Sequence, residues 1–215
     1  MATISREVHL IEYPEGLPDA SQFQIVETTV DDPATGEFLI QNQYMSVAPA
    51  MRPRLSAGQQ RLPQAMGAGT IGVVTASRHS AFAEGDVVQH GLGFREHVLS
   101  DGRGVNHLDA AGLSPTLYMH VLGPTGFTAW GGMLITGELK DGENVFVSAA
   151  AGAVGSVAAQ IARIKGCYVI GSAGSAEKCE WLENELGLDV AINYKEGVLR
   201  KNLKAAATEL SLIHI

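Results

Sequence analysis

The stretch Asn144–Ser175, NVFVSAAAGAVGSVAAQIARIKGCYVIGSAGS, constrains the fold more than any other part of the chain. Val145–Ser148 predicts an apolar strand, Ala149–Gly152 a tight turn, and Val154–Lys165 an apolar helix that stops at Gly166. Tyr168–Gly171 predicts a second strand, which completes a βαβ unit. The turn of such a unit aims backbone N–H groups and the positive end of a helix dipole at one point, where a pyrophosphate fits. No side chain at Gly152 blocks that approach, and Gly155 with Ser156 lets the helix pack close to the strands. The chain is therefore expected to bind a dinucleotide. The alternative is an ordinary tight β–α turn in some other α/β protein.

An NAD site usually carries Asp or Glu at the end of the second strand, accepting from the ribose 2′-hydroxyl. Here that strand runs into Gly171-Ser172-Ala173-Gly174-Ser175, with no carboxylate. Lys178 follows one turn into the next predicted helix, where its ammonium can meet a 2′-phosphate. Tyr194, after the apolar segment Val190–Ile192, offers a hydroxyl or a flat face to the adenosine. NADPH is thus the expected cofactor over NADH. A solvated lysine on a helix face is the plain alternative for Lys178.

Composition narrows the remaining classes. At 215 residues and 46% hydrophobic, the chain can bury a sizeable core in one large or two modest domains. The formal net charge of −8, without a basic run, argues against a nucleic-acid partner. No apolar run approaches the ~18 residues of a membrane span. The N-terminus MATISREVHL has no apolar core of a signal peptide. With Cys167 and Cys179 the only cysteines, no disulfide framework is expected, and the chain reads as cytoplasmic.

Two textures divide the chain near residue 120. Before it, Glu37–Val47, Ala68–Thr75, Val87-Val88 and Phe94–Leu99 predict short strands, with Glu84-Gly85-Asp86 and Asp101–Gly104 as turns. Glycine-broken strands of this kind predict a small bent barrel. After it, Thr116–Leu122 and Gly126–Ile135 predict helices split by Gly123-Pro124. Beyond the βαβ unit, a helix over Ala176–Leu186, a strand over Val190–Ile192 and a helix over Val198–Leu210 follow. Together they make half of a doubly wound parallel sheet.

These residues match a family. Val147–Lys178, with Ile192-Asn193-Tyr194-Lys195, closely resembles the zinc-independent branch of the medium-chain dehydrogenase/reductases. Within it, the chain is similar to the NADPH-dependent enone and alkenal reductases, the group of the prostaglandin, leukotriene and curcumin reductases. Ser46-Val47-Ala48-Pro49-Ala50-Met51-Arg52 is similar to the family's S-V-D-P-x-M-R, Phe82–Val88 to its barrel turn, and Gly123–Gly132 to its G-x-x-G-x-T-A-Y segment. The resemblance implies a GroES-like bent barrel in residues 1–120 and the first half of a Rossmann domain in 121–215. It implies that Gly152, Ala153, Val154 and Gly155 hold the pyrophosphate, that Lys178 and Tyr194 bind the 2′-phosphate, and that Thr128 lies near the cofactor. Ala48 departs from the acid of the family pattern, and Trp130 from its tyrosine.

Tyr44, Met51, Arg52 and Trp130 are candidates for the substrate cleft, with packing as the competing role. Arg52 stands between Pro49 and Pro53, where a charge must be exposed or paired. A metal is not expected. Residues 1–166 contain no cysteine, and Gly69-Thr70-Ile71-Gly72 stands where zinc-dependent relatives have G-H-E. No G-x-S-x-G elbow is present. No residue is assigned a catalytic role.

The implied reaction is reduction of the C=C bond of a small α,β-unsaturated carbonyl by NADPH. A quinone reductase and a non-catalytic nucleotide-binding protein are the alternatives. Family members are longer and often dimeric, and similarity fades after Leu203. The chain is accordingly expected to be a truncated form, with a non-native tail at Ser211–Ile215, an unpaired sheet edge and little turnover.

Overall fold

In the computed structural model, which describes residues 2–56, 62–207 and the backbone of 212–214, the chain divides into two units, Met1–Pro115 and Thr116–Ile215. In the first, strand β1 (Thr3–Leu10) pairs antiparallel with β2 (Phe23–Val30), from Thr3↔Val30 to Leu10↔Phe23. A second sheet is centred on β3 (Phe38–Met45). The two-residue β4 (Gln64–Ala65) pairs with β1. The strands β5 (Thr70–Ser77), β6 (Val87–His90), β7 (His97–Ser100) and β8 (Asn106–His107) complete the larger sheet in the order β7-β3-β5-β6-β8, all antiparallel.

Residues 94–96, expected to begin a strand, instead join the two sheets. Val8 donates its N–H to the Phe94 carbonyl at 2.9 Å, Glu96 donates to Arg6 at 3.0 Å, and Asn42 donates to Glu96 at 2.8 Å. Arg6 reinforces the junction. Its Nε donates to Glu96 Oε1 at 2.8 Å, and these bonds hold the Glu96 carboxyl down at about 2. The result is the GroES-like bent barrel, filled by Phe38, Ile40, Val74, Val88 and Val98.

A buried polar cluster pins the loop after β6. Nδ1 of His90 accepts the Leu92 N–H at 3.1 Å, which leaves Nε2 to donate to Asn42 Oδ1 at 2.9 Å. Asn42 Nδ2 in turn donates to the Arg95 carbonyl at 2.7 Å. Burial, with the nearby Arg95 charge, pushes the His90 imidazole down to about 4, so the ring is neutral.

The second unit is a four-stranded parallel sheet: β9 (Asn144–Val147), β10 (Tyr168–Ala173), β11 (Val190–Asn193) and β12 (Leu212–His214), in the order β11-β10-β9-β12. Val145, Phe146 and Val147 are all buried, as in a parallel strand with helices on both faces. Helices α1 (Pro124–Trp130), α2 (Ala153–Ile164) and α3 (Ala176–Asn184) contribute Ala129, Ala158 and Leu182 to one core with Val145, Val147 and Val169. Leu199 and Leu203 of α4 (Leu199–Ala206) pack on the opposite face, against Phe146, Ile170 and Ile192. This is the first part of a Rossmann sheet.

Three expectations need correction. Gly123-Pro124 does not split two helices. Gly123 caps α1 and Pro124 is its first residue, where a missing N–H costs nothing. Thr116–Leu122 folds as a short 3-10 turn, Pro115–Met119, and α1 continues into a π turn at Gly131–Thr136. The last helix ends at Ala206 rather than Leu210, because Ala207 is already extended; residues 208–210 lie outside the described residues. The sheet edge expected to be unpaired is not at β9, since β12 pairs with it in the register Leu212↔Val145 to His214↔Val147 and stands outermost on that side among the described strands. A three-residue strand suffices, since the N–H and C=O groups of β9 form a ready ladder.

Candidate cofactor site

The site grows from the turn between β9 and α2. Ala149 is left-handed at φ 46°, and its carbonyl accepts the Gly152 N–H at 2.8 Å. Ala150 donates to the Ser172 carbonyl at 2.9 Å, tying the turn to β10. Gly152 is the N-cap of α2 and brings no side-chain cap. The first-turn N–H groups of Ala153, Val154 and Gly155 have no acceptor among the described residues and remain open as donors at the N-terminus of α2. Helix α2 sits directly on the turn, since a Cβ at Gly155 would lie 2.3 Å from the Ala149 carbonyl oxygen and 2.9 Å from Ala150 Cα. Only glycine permits that approach.

Beside this turn is a cleft of about 160 Å³. Ala149, Ala151 and Gly152 form one wall, and Gly174, Lys178 and Tyr194 the other. The second wall is held by its backbone. Ser175 caps α3, with its Oγ accepting the Lys178 N–H at 3.3 Å, and Tyr194 donates its own N–H to the Ala173 carbonyl at 3.1 Å. Lys178 makes no ion pair among the described residues. Two carboxylates of the flanking segments are engaged elsewhere. Glu183 accepts from the Ala191 N–H at 2.8 Å and Glu196 from Asn193 Nδ2 at 2.5 Å. The cleft thus sets the open N-terminus of α2 beside an ammonium and a phenol, and suits a polyanion.

The structure brings Gly152, Lys178 and Tyr194 together, next to the donors of Ala153, Val154 and Gly155. Gly152 itself supplies room rather than a donor, because its N–H is spent on Ala149. Thr128 is not in this cleft; its hydroxyl donates to the Pro124 carbonyl at 2.7 Å. Met51 and Arg52 line a separate apolar cavity of about 310 Å³ in the first unit, with Phe23, Met66 and Phe94. Arg52 meets the need for a partner through a hydrogen bond from Nη2 to the Gly16 carbonyl. Tyr44 is not in that lining, and Trp130, in the second unit, stacks on Phe127 at 6.0 Å. Sequence reading missed Gly174, whose link to Tyr194 appears only once β10 and β11 pair.

Two family models match the chain, one described as the N-terminal domain of oxidoreductase over residues 6–108 and one as zinc-binding dehydrogenase over 153–211. Prostaglandin reductase 1 of Rattus norvegicus is 42% identical over 184 residues, covering 84% of this chain and 55% of that protein. The NADPH-dependent curcumin reductase of Escherichia coli is 36% identical over 190 residues, with 86% and 55% covered. The crystal structure of CurA from Vibrio vulnificus in complex with NADPH superimposes with a TM-score of 0.88 at 34% identity, over 98% of this chain and 64% of that one. The chain belongs to the medium-chain dehydrogenase/reductase family. Within this family it groups with the prostaglandin, curcumin and 2-alkenal reductases. It spans 55–59% of the length of these curated relatives. Among its described residues no group of three or more His, Cys, Asp or Glu could hold a metal ion, and no helix is long and apolar enough to cross a membrane.

Proposed function

We propose that the chain carries the substrate domain and the first half of the coenzyme domain of an NADPH-dependent reductase, which reduces the C=C bond of α,β-unsaturated carbonyls without a metal. One observation carries the reading. A single cleft joins the open N-terminus of α2 to Lys178 and Tyr194, and no carboxylate stands at the end of β10. The relatives, named as prostaglandin, curcumin and 2-alkenal reductases, agree with it.

The residues present fit the coenzyme. The Gly155 close approach leaves a small-residue cradle, and three unpaired N–H groups match a pyrophosphate. When bound, the nicotinamide supplies a hydride for the β-carbon of the enone. Ala153, Val154 and Gly155 donate to the pyrophosphate, while Lys178 and Tyr194 hold the 2′-phosphate. Thr128 serves near the cofactor as an acceptor, its proton being committed to Pro124. Met51 and Arg52 border the apolar cavity that takes the substrate's carbon skeleton. Tyr44 and Trp130 line neither this cavity nor the cofactor cleft.

A quinone reductase is the second reading, supported by an Escherichia coli quinone oxidoreductase complexed with NADPH, with a TM-score of 0.71 at 25% identity. NADPH oxidation in the presence of a 2-alkenal and of a quinone separates the two. The coenzyme itself is tested by titrating NADPH and NADH into the parent and a Lys178→Ala variant. Loss of a charge-assisted contact should weaken NADPH roughly tenfold and leave NADH unchanged. Equal discrimination by both proteins would overturn the reading.

A further inference from the structure

We propose that Gly174 is a positioning residue for coenzyme choice. The missing side chain at this position lets the Tyr194 phenol stand beside Lys178. The inference rests on the cleft being the NADPH site.

The geometry runs from the main chain outward. Strands β10 and β11 end together at Ala173↔Asn193, and the next residue on each strand is Gly174 and Tyr194. Tyr194 cannot shift along its strand, since its N–H is bonded to the Ala173 carbonyl at 3.1 Å. Its ring therefore crosses the end of β10. A Cβ built at position 174 would lie 2.6 Å from Tyr194 Oη, 3.0 Å from Cζ and 3.4 Å from Cε1. These are its three nearest heavy atoms, and all belong to the one ring.

Gly174 is not among the positive-φ glycines, so alanine adopts the same backbone without strain. A methyl group there acts through Tyr194 and not through the fold. The ring is half-exposed, at 47%, and has solvent to turn into. Lys178 is unaffected, because Ser175 caps its helix independently of Tyr194. Gly174→Ala should therefore remove one of two phosphate partners and leave Lys178 and the opposite wall of Ala149, Ala151 and Gly152 in place.

The test uses the parent, Gly174→Ala, Tyr194→Ala and the double variant, each labelled with 3-fluorotyrosine and titrated with NADPH and NADH. Gly174→Ala should weaken NADPH roughly tenfold, with NADH unchanged. It should also move the Tyr194 ¹⁹F resonance, the signal absent from Tyr194→Ala, in the coenzyme-free protein. In the Tyr194→Ala background, Gly174→Ala should have no further effect. The proposal falls if Gly174→Ala weakens both coenzymes alike, leaves the ¹⁹F signal in place, or acts as strongly without Tyr194. A parent that shows no preference for NADPH overturns the reading of the cleft, and this inference with it. A parent that prefers NADPH, beside a Gly174→Ala variant that prefers it equally, overturns this inference alone.

Discussion

Replacing Gly155 with alanine sets two effects of opposite sign against each other. In an unobstructed helix interior alanine is better than glycine by about 1 kcal/mol. Here the new Cβ would sit 2.3 Å from the Ala149 carbonyl oxygen, about 1 Å inside ordinary contact. The turn cannot give way. Ala149 already occupies the left-handed region, at a cost of about 1 kcal/mol, and Ala150 is fully buried and bonded to Ser172. Helix α2 must move outward instead, opening its contacts with Ala150 and the strands. Overpacking of this kind costs about 3 kcal/mol at its upper end, so the net loss is about 2 kcal/mol. Both tryptophans of the chain, Trp130 and Trp181, lie in the second unit, so urea unfolding followed by tryptophan fluorescence reads this loss directly. The displaced helix should also bind NADPH more weakly. A Gly155→Ala protein as stable as its parent, or more stable, would refute the close-approach argument.

Two further outcomes follow from the backbone and the core. The His90 imidazole is neutral with a folded value of about 4, below its ordinary 6.5. The unfolded chain therefore takes up a proton first as pH falls, so the stability is complete above pH 6.5 and is lost between 6.5 and 4. The span is worth about 3 kcal/mol. Urea midpoints at pH 7 and 4.5 should differ less for His90→Gln than for the parent, and an equal difference would exclude His90 as the source. Ala149→Gly should raise stability by up to about 1 kcal/mol, because glycine accepts φ 46° without strain. Thermal unfolding checks this, and a lower midpoint would show that turn entropy outweighs the relief.

How much of this was legible in the sequence depends on how local each signal is. The β9–α2–β10 unit could be read because glycines and apolar runs mark its turn, and the observed bounds differ by one or two residues. That Lys178 and Tyr194 lie beside this turn was legible through the missing carboxylate and the resemblance. The β1–β2 pair was not. In TISREVHL only Ser5 and Leu10 are fully buried, so no apolar alternation announces the strand. The β12 strand was equally silent, since three residues carry no period and gain their structure from the ladder of β9. Gly174 needed tertiary information. It stands 20 positions before Tyr194, and only the parallel register between their strands places one under the other.

That register has a thermodynamic side. Tyr194 hangs from β11, the outermost of the four described strands on its side, which is paired only with β10. Marginal strands open at lower free energy than interior ones. Lys178 hangs from a helix whose Leu182 is locked in the core. Under the proposed reading, the two partners of the 2′-phosphate thus reside in parts of the protein with different resistance to fraying, so warming or mild denaturant should remove the Tyr194 contact, and with it part of the selectivity, before the Lys178 contact.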